Sequence, residues 1–491
     1  MASICTSNLT SGFIDLATFD EIEKYLYGGP EATAYFVRET RKATWFTQVP
    51  VVLSRAAGSP AFGQEWSVAI SRAGDYMLQT WLRLTTPSVT LNAANNAGNA
   101  AARIRWTRNF MHNIVRECCI TFNDLVAARF DNYHLDFWAA FTVPAGKRNG
   151  YNNMIGNIDD MTGPHATGAA NAIPSFTLNL PLPFFYSRDS GVALPTAALP
   201  YNEMRIQFAF RDWSDLLILE NSSITGAEQR VALTADQLTN GAPVLGNTQV
   251  WANYAIVSND ERKRMACAPR DILIEQVQTA PRQAFTPATN AQQSFDVRFS
   301  HAIKVLFFAV RNTTWAPEWS TYTTASPTDD GAVITYEPAG SADPILQTSL
   351  IYENTNRLAQ MGSDYFSLVN PYFHAPTIPT VTGYHSYSYS LDFICLDPMG
   401  STNYGKLTNV SMVPEASQAA INAASGNGDA GADFNQSYEF IITAVNNNII
   451  RVSGGKLPKV PPTVGCQPRC NMSWLGKQCN MLPCLAAASA A

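Results

Sequence analysis

The chain has 491 residues, 46% of them hydrophobic and only 15% charged, with 25 Phe, 19 Tyr, 10 Trp and a net charge of −6. So few charges beside so many aromatics exclude a disordered chain. The 33 Lys and Arg are scattered, which excludes a basic nucleic-acid face and predicts no direct genome binding. No apolar run reaches the ~20 residues of a membrane-spanning helix. Met1–Phe13 lacks the basic flank and apolar stretch of a signal peptide, which predicts synthesis in the cytosol. The low charge fits two readings equally, a large core or a surface covered by neighbouring subunits.

The first predicted element is a short helix. Thr18-Phe19-Asp20-Glu21 reads as a capping box, with Thr18 as the cap and Glu21 reaching back. Ile22, Tyr25 and Leu26 give it one apolar face, and Gly28-Gly29-Pro30 ends it. Beyond it the period is mostly two. Tyr76, Leu78, Thr80, Leu82 and Leu84 alternate with Met77, Gln79, Trp81 and Arg83. Met204, Ile206, Phe208 and Phe210 alternate with polar or small residues, as do Phe440, Ile442 and Ala444. His385, Tyr387, Tyr389, Leu391, Phe393 and Cys395 extend the pattern as one long strand. Such runs, separated by Gly, Pro and Asn clusters, predict antiparallel β-sandwiches and no parallel doubly wound sheet. Long loops are expected at 92–101, 161–172, 221–246, 313–343 and 414–435.

The chain repeats itself once. Glu65–Leu84 matches Phe295–Val310 in pattern, at an offset of about half the chain, and a second capping box at Ser258-Asn259-Asp260-Glu261 opens a helix in the later half. The domains read as an N-terminal segment 1–40, a first sandwich 41–215, a second sandwich 216–455 and a Cys- and Pro-rich tail 456–491.

No motif carries chemistry. Gly426-Asn427-Gly428-Asp429-Ala430-Gly431 matches a dinucleotide fingerprint but lacks the strand before and the helix after that a pyrophosphate site needs. Gly455-Lys456-Leu457 and Gly146-Lys147-Arg148 lack the Ser or Thr of a P-loop. None of the six His has a second His at metal-ligand spacing. His134, with Asp131 and Asp136 near it, is a candidate base with an orienting carboxylate, but aromatics dominate its segment and a satisfied structural His is the better reading. Strand-borne acids such as Asp296 and Asp392 stand alone, so no glycosidase pair is visible. Cys466, Cys470, Cys479 and Cys484 lack the tight pairs of a zinc ribbon. Zinc, disulfides in an oxidising setting and a flexible tail stay open, with the last favoured. The expectation is no enzyme, no catalytic, cofactor or metal residue, and no small-molecule substrate.

Six stretches resemble the major capsid proteins of large icosahedral DNA viruses, most closely those of iridoviruses. They are TSGFIDLATFDEIEKYLYGGPEATAYFVRE, FGQEWSVAISRAGDYMLQTWLR, TFNDLVAARFDNYHLDFWAAF, LPLPFFYSRDSGVALPTAALPYNEM, FDVRFSHAIKVLFFAVRN and DPMGSTNYGKLTNVSM. The resemblance spans about Leu9 to Gly455 and implies an all-β double jelly-roll, two eight-stranded sandwiches in tandem with short helices in the loops. It implies a homotrimer that forms a near-hexagonal capsomer and tiles the shell of a double-stranded DNA virus. Neighbouring capsomers and minor capsid proteins would be partners. The inner viral membrane is a further candidate contact of the N-terminal segment, where Thr18–Tyr27 would be an inner-face helix; a helix packed on its own domain is the equal alternative. The location would be the virion, with assembly in the host cytoplasm. A carbohydrate-binding or glycan-cleaving sandwich and a minor shell or spike protein are the alternatives.

Overall fold

A computed structural model describes residues 2–474 apart from 39, 94–100, 168–170, 200–201, 222, 224–226, 268–269, 289–291, 325–342, 426–434 and 454–470. The glycine-rich match at 426–431 and the tail cysteines therefore lie outside the described residues. The chain divides into two units, Met1–Trp45 and Phe46–Ala491.

The first unit corrects the expected N-terminus. A helix, α1 (Ala2–Ala17), precedes the predicted one, α2 (Glu21–Tyr27). The Thr18 hydroxyl donates backward to the Asp15 carbonyl at 2.7 Å, so it closes α1 and is not available to open α2. Asp20 takes the cap instead, its carboxylate accepting from the Glu21 N–H at 2.8 Å.

The second unit starts with twelve strands. They are β1 (Phe46–Val52), β2 (Ser54–Gly58), β3 (Glu65–Ala69), β4 (Tyr76–Thr85), β5 (Ala102–Trp106), β6 (Val115–Phe122), β7 (Leu125–Asp131), β8 (Thr177–Pro181), β9 (Met204–Phe210), β10 (Leu217–Asn221), β11 (Arg230–Ala232) and β12 (Gly246–Val257). They form sheets ordered β1-β12-β4-β8, β2-β3-β9-β6-β7 and β11-β10-β5. The next strands are β13 (Arg270–Thr279), β14 (Gln283–Phe285), β15 (Phe295–Asp296), β16 (Ala302–Asn312), β17 (Ile345–Tyr352), β18 (Thr355–Gly362), β19 (His385–Ser388), β20 (Thr402–Asn403), β21 (Val410–Ala416) and β22 (Tyr438–Ser453). Their sheets run β13-β22-β16-β19 and β15-β21-β17-β18. A last strand, β23 (Asn471–Trp474), pairs with the end of β22.

The two sets of sheets repeat one topology. Four strands in the order first-last-middle-late, and four more in a second sheet, occur twice: β1-β12-β4-β8 answers to β13-β22-β16-β19, and β3-β9-β6-β7 to β15-β21-β17-β18. This is a double jelly-roll, an eight-strand frame present twice, with strands such as β5, β10 and β11 added to the first. The repeat reaches into the turns. The β6–β7 hairpin turns at Asn123 (φ 49°) and Asp124 (φ 64°), and the β17–β18 hairpin at Glu353 (φ 46°) and Asn354 (φ 64°). A left-handed pair is what a two-residue hairpin needs to match strand twist. The hairpins begin at Val115 and Ile345, separated by the same half-chain offset that relates Glu65 to Phe295. Each is followed at once by a helix, α4 (Asn132–Thr142) in the first half, after the shorter α3 (Phe110–Ile114), and Tyr365–Val369 continuing as Asn370–His374 in the second.

Three sequence expectations shift. The strand pairing ties Leu217–Val257 to the first jelly-roll, because β10 pairs with β5 and β12 lies between β1 and β4. This carries the first set of sheets past the 215/216 boundary. The long strand expected from His385 to Cys395 stops at Ser388. There Ser388 Oγ donates to the Ser390 carbonyl, Ser390 Oγ to the Asp392 carbonyl, and Asp392 accepts from the Ile394 N–H. Side-chain bonds to the nearby backbone replace the ladder. In β4 the alternation breaks at Met77 and Leu78, both buried, where the register with β12 slips between Ala252 and Tyr254.

An interdomain joint and the exposed assembly surfaces

The joint between the jelly-rolls is built on α4. Asp131 caps it, accepting from the His134 N–H at 2.9 Å. Tyr133, Phe137, Ala140 and Phe141, at helical spacing, then form one apolar stripe. The stripe packs against the outer face of the second jelly-roll sheet, on Val305, Phe307 and Ala309 of β16 and Ile441 and Val445 of β22. The inner face of the same strands, Leu306, Phe308, Val310, Phe440 and Ile442, lines the second core. Nearly all of β16 is therefore buried. Each buried aromatic contributes roughly 1.5–3 kcal/mol. The sequence carries a signal for this helix, a cap followed by apolar residues at 133, 137, 140 and 141, beside the period-two pattern that predominates elsewhere.

Buried charges fasten the joint on either side of the stripe. Glu318, in the segment read as a loop, enters the first jelly-roll and bonds Arg105 and Arg230, the latter at 2.8 Å. Arg105 also holds Glu220 at 2.9 Å. Burial alone would raise the Glu318 pKa, but the two guanidiniums and the Thr321 hydroxyl outweigh it and hold it at about 2. Arg311 bonds Glu439 at 2.9 Å and the Tyr133 hydroxyl at 3.1 Å, while Arg211 lies 3.6 Å over the Trp319 ring. Further along, Lys304 donates to Glu275 at 2.6 Å, and Arg188 pairs with Glu275 while lying over Trp138.

The candidate catalytic residues disperse into this scaffold. Asp131 is a helix cap. Asp136 accepts from His112 at 2.7 Å, Ser320 at 2.8 Å and Tyr322 at 2.9 Å, not from His134. The His134 ring, expected to be satisfied, is buried against Phe130 and Trp138 with neither nitrogen hydrogen-bonded. Burial, with Arg188 nearby, pushes its pKa down to about 3, so it stays neutral. Asp392 caps a turn and Asp296 lies exposed beside Arg298.

One grouping invites a catalytic reading. His385, Asp343 and Ser363 lie within 2.9 Å of one another. Both partners, however, meet the same ring nitrogen, Nε2, and the group is buried. A relay needs the carboxylate on one nitrogen and the nucleophile on the other. Among the described residues no cluster of three or more His, Cys, Asp or Glu could hold a metal.

Several large apolar side chains lie exposed. In the N-terminal unit Phe13, Ile14, Leu16, Ile22, Tyr25, Leu26, Tyr35 and Phe36 lie open, and no residue of α2 is buried. In the jelly-rolls the open apolar residues include Phe46, Val49, Val52, Val369, Tyr372 and Phe373.

Residues 34–257 match the family model described as major capsid protein N-terminus, and residues 261–457 that described as large eukaryotic DNA virus major capsid protein. The chain is 68% identical to the major capsid protein of Tipula iridescent virus over 460 residues, 93% of this chain and 98% of that one. It is 65% identical to that of Invertebrate iridescent virus 6, over 93% and 99% of the two chains. It is 46% identical to that of Rana tigrina ranavirus, over 93% and 99%. Among solved structures its fold is similar to a chain of the PBCV-1 virus capsid (TM-score 0.66, 21% identity, 86% of this chain and 98% of that one). It is also similar to the Faustovirus major capsid protein (TM-score 0.60, 11% identity, 88% and 94%).

Proposed function

From the premise that the chain belongs to the major capsid proteins of large eukaryotic DNA viruses, we propose that three copies close into a near-hexagonal capsomer and that capsomers tile an icosahedral shell. The chain is a structural protein of the virion shell, and its relatives are not enzymes. The observation that carries the reading is the repeated sheet order. Two similar walls per chain let a three-fold object present six, so one kind of side contact can recur across a flat facet. Many weak contacts then add, because each block is held by several neighbours at once.

The walls run 46–257 and 270–453, with the tail beyond them, and no catalytic, cofactor or metal residue is expected among their described residues. The N-terminal unit, with its open apolar side chains on α1 and α2, faces inward toward minor capsid proteins and the inner viral membrane. Synthesis and assembly take place in the host cytoplasm. No direct contact with nucleic acid is expected from a chain of net charge −6.

Electron microscopy and sedimentation of the purified chain test the reading. Near-hexagonal blocks with three times the 53.6 kDa mass of one chain are expected. A monomer at micromolar concentration with no tendency to associate would overturn it.

A further inference from the structure

Within the chain, the helix that follows the first hairpin covers the outer face of the second jelly-roll sheet. The repeat supplies the same two parts in the opposite order, a sheet in the first jelly-roll and a helix in the second, and each presents open apolar side chains.

The open sheet face is β1-β12-β4-β8. Register places Val52, Trp251, Trp81 and Pro181 side by side, one from each strand. Their sequence neighbours Val250, Ala252, Thr80, Leu82, Leu180 and Leu182 are buried, so the four point away from the core. The two indoles stack at 6.2 Å. Trp81 stands where Phe307 stands in the repeat: both lie on the middle strand, each four residues past the inward residue (Met77, Ile303) at which the ladder slips. Phe307 is covered by Phe137 and Phe141 of α4 and is fully buried. Trp81 and Trp251 remain partly exposed. Polar groups rim the ladder, with Gln79 bonded to Asn253 at 3.1 Å and Gln249 accepting from the Trp251 indole. Beside Pro181 and Gln79 opens an apolar cavity of about 620 Å³, lined by Trp138, Pro144, Met154 and Phe184. A central aromatic pair, a polar rim and an adjoining socket are the anatomy of a protein interface.

The open helix is Tyr365–Val369 with Asn370–His374, the counterpart of α4. Phe366 anchors it in its own core against Phe308 at 5.2 Å. Val369, Tyr372 and Phe373 point outward at helical spacing, exposed by 41%, 70% and 69%. Charge matches as well. Asp364 is exposed at the head of this helix, and the half-buried Arg83 lies one row from the ladder, opposite Gln249.

We infer that Val369, Tyr372 and Phe373 of one copy dock on the Val52–Trp251–Trp81–Pro181 ladder, and in the cavity beside it, of the next copy. The contact is head to tail, so it uses two different surfaces and closes into a ring. Between chains it repeats the joint that α4 makes within one. The inference rests on the trimer reading above and assigns that reading its interface.

Two variants and their mixture test it in the full chain, by sedimentation with thermal unfolding alongside. Tyr372→Glu with Phe373→Glu spoils the helix, and Trp81→Glu spoils the sheet face. Each alone should be monomeric where the unaltered chain is trimeric. The concentration for half-association should rise roughly 30-fold or more. The mixture should form dimers of one chain of each kind, because each variant keeps one intact surface. That dimer also shows that both variants are folded. Variants that remain trimeric, or a mixture that remains monomeric, would overturn this interface and leave the capsomer reading in place. An unaltered chain that never trimerises would instead overturn the capsomer reading itself.

Discussion

Phe307 of the second jelly-roll stacks on Phe137 of the first, with ring centroids 5.9 Å apart and planes 8° from parallel. Phe141 stacks on the same ring from the next turn of the helix, at 5.3 Å. One side chain from β16 is thus held by two turns of a helix that belongs to the other domain. The joint is a packed core, and it behaves as one under mutation.

Phe307→Ala should cost about 3–5 kcal/mol, the range for an aromatic deleted from a tight core. Denaturant unfolding of the unassembled chain reads it. Because the lost contacts span both jelly-rolls, the single transition should also split into two. A loss under about 1 kcal/mol, the scale of an ordinary surface change, with one sharp transition would show that the domains are coupled elsewhere.

Glu318→Gln should destabilise by about 3–5 kcal/mol, since Arg105 and Arg230 would keep their charges in a buried site with their shared carboxylate gone. The pH dependence follows. The folded pKa is depressed, so the stabilisation is complete above the ordinary carboxylate value of 4.5 and is lost as pH falls toward about 2. The difference between the unaltered chain and Glu318→Gln should therefore shrink between pH 4.5 and 2. A difference that stays constant would rule out the carboxylate's charge as the cause.

His134 gives a slope in a different window. Its folded pKa is lowered from 6.5 to about 3, so below pH 6.5 the unfolded chain takes up a proton that the folded chain refuses. Stability should fall from pH 6.5 toward 3 by up to about 1.4 kcal/mol per unit from this residue. His134→Phe should remove that part of the slope and leave the stability in mildly alkaline buffer nearly unchanged. Equal slopes for the two proteins would contradict a buried neutral ring.

Gly383→Ala should prevent folding of the joint. The glycine has φ +100°, and a Cβ there would lie 2.2 Å from the Tyr322 carbonyl oxygen. Tyr322 lies at the joint and bonds Asp136, so the backbone there has little room to move. Soluble yield on expression is the readout. Wild-type yield and melting temperature would show that the segment yields.

The alternation of Met204 to Phe210 was legible because one face meets the core and the other does not. The same logic misled at His385, where both faces of the strand are buried and serine hydroxyls end it early. The helix α4 was hidden for a related reason. Its stripe faces a partner domain, so its aromatics mark a buried segment without showing which element buries them. The candidate site dissolved because Asp131 and Asp136 turn to partners remote in sequence or to the backbone, which spacing along the chain cannot reveal.

By itself the sequence determined the two antiparallel sandwiches, the half-chain repeat and the absence of a chemical motif, because these rest on periodicity and short spacing. Only the tertiary structure decided where the first jelly-roll ends, which helix joins the two, and which sheet face is left bare. Those depend on residues far apart in the chain meeting in space. The pairing of β12 with β4 and of Phe137 with Phe307 leaves no local trace in the chain.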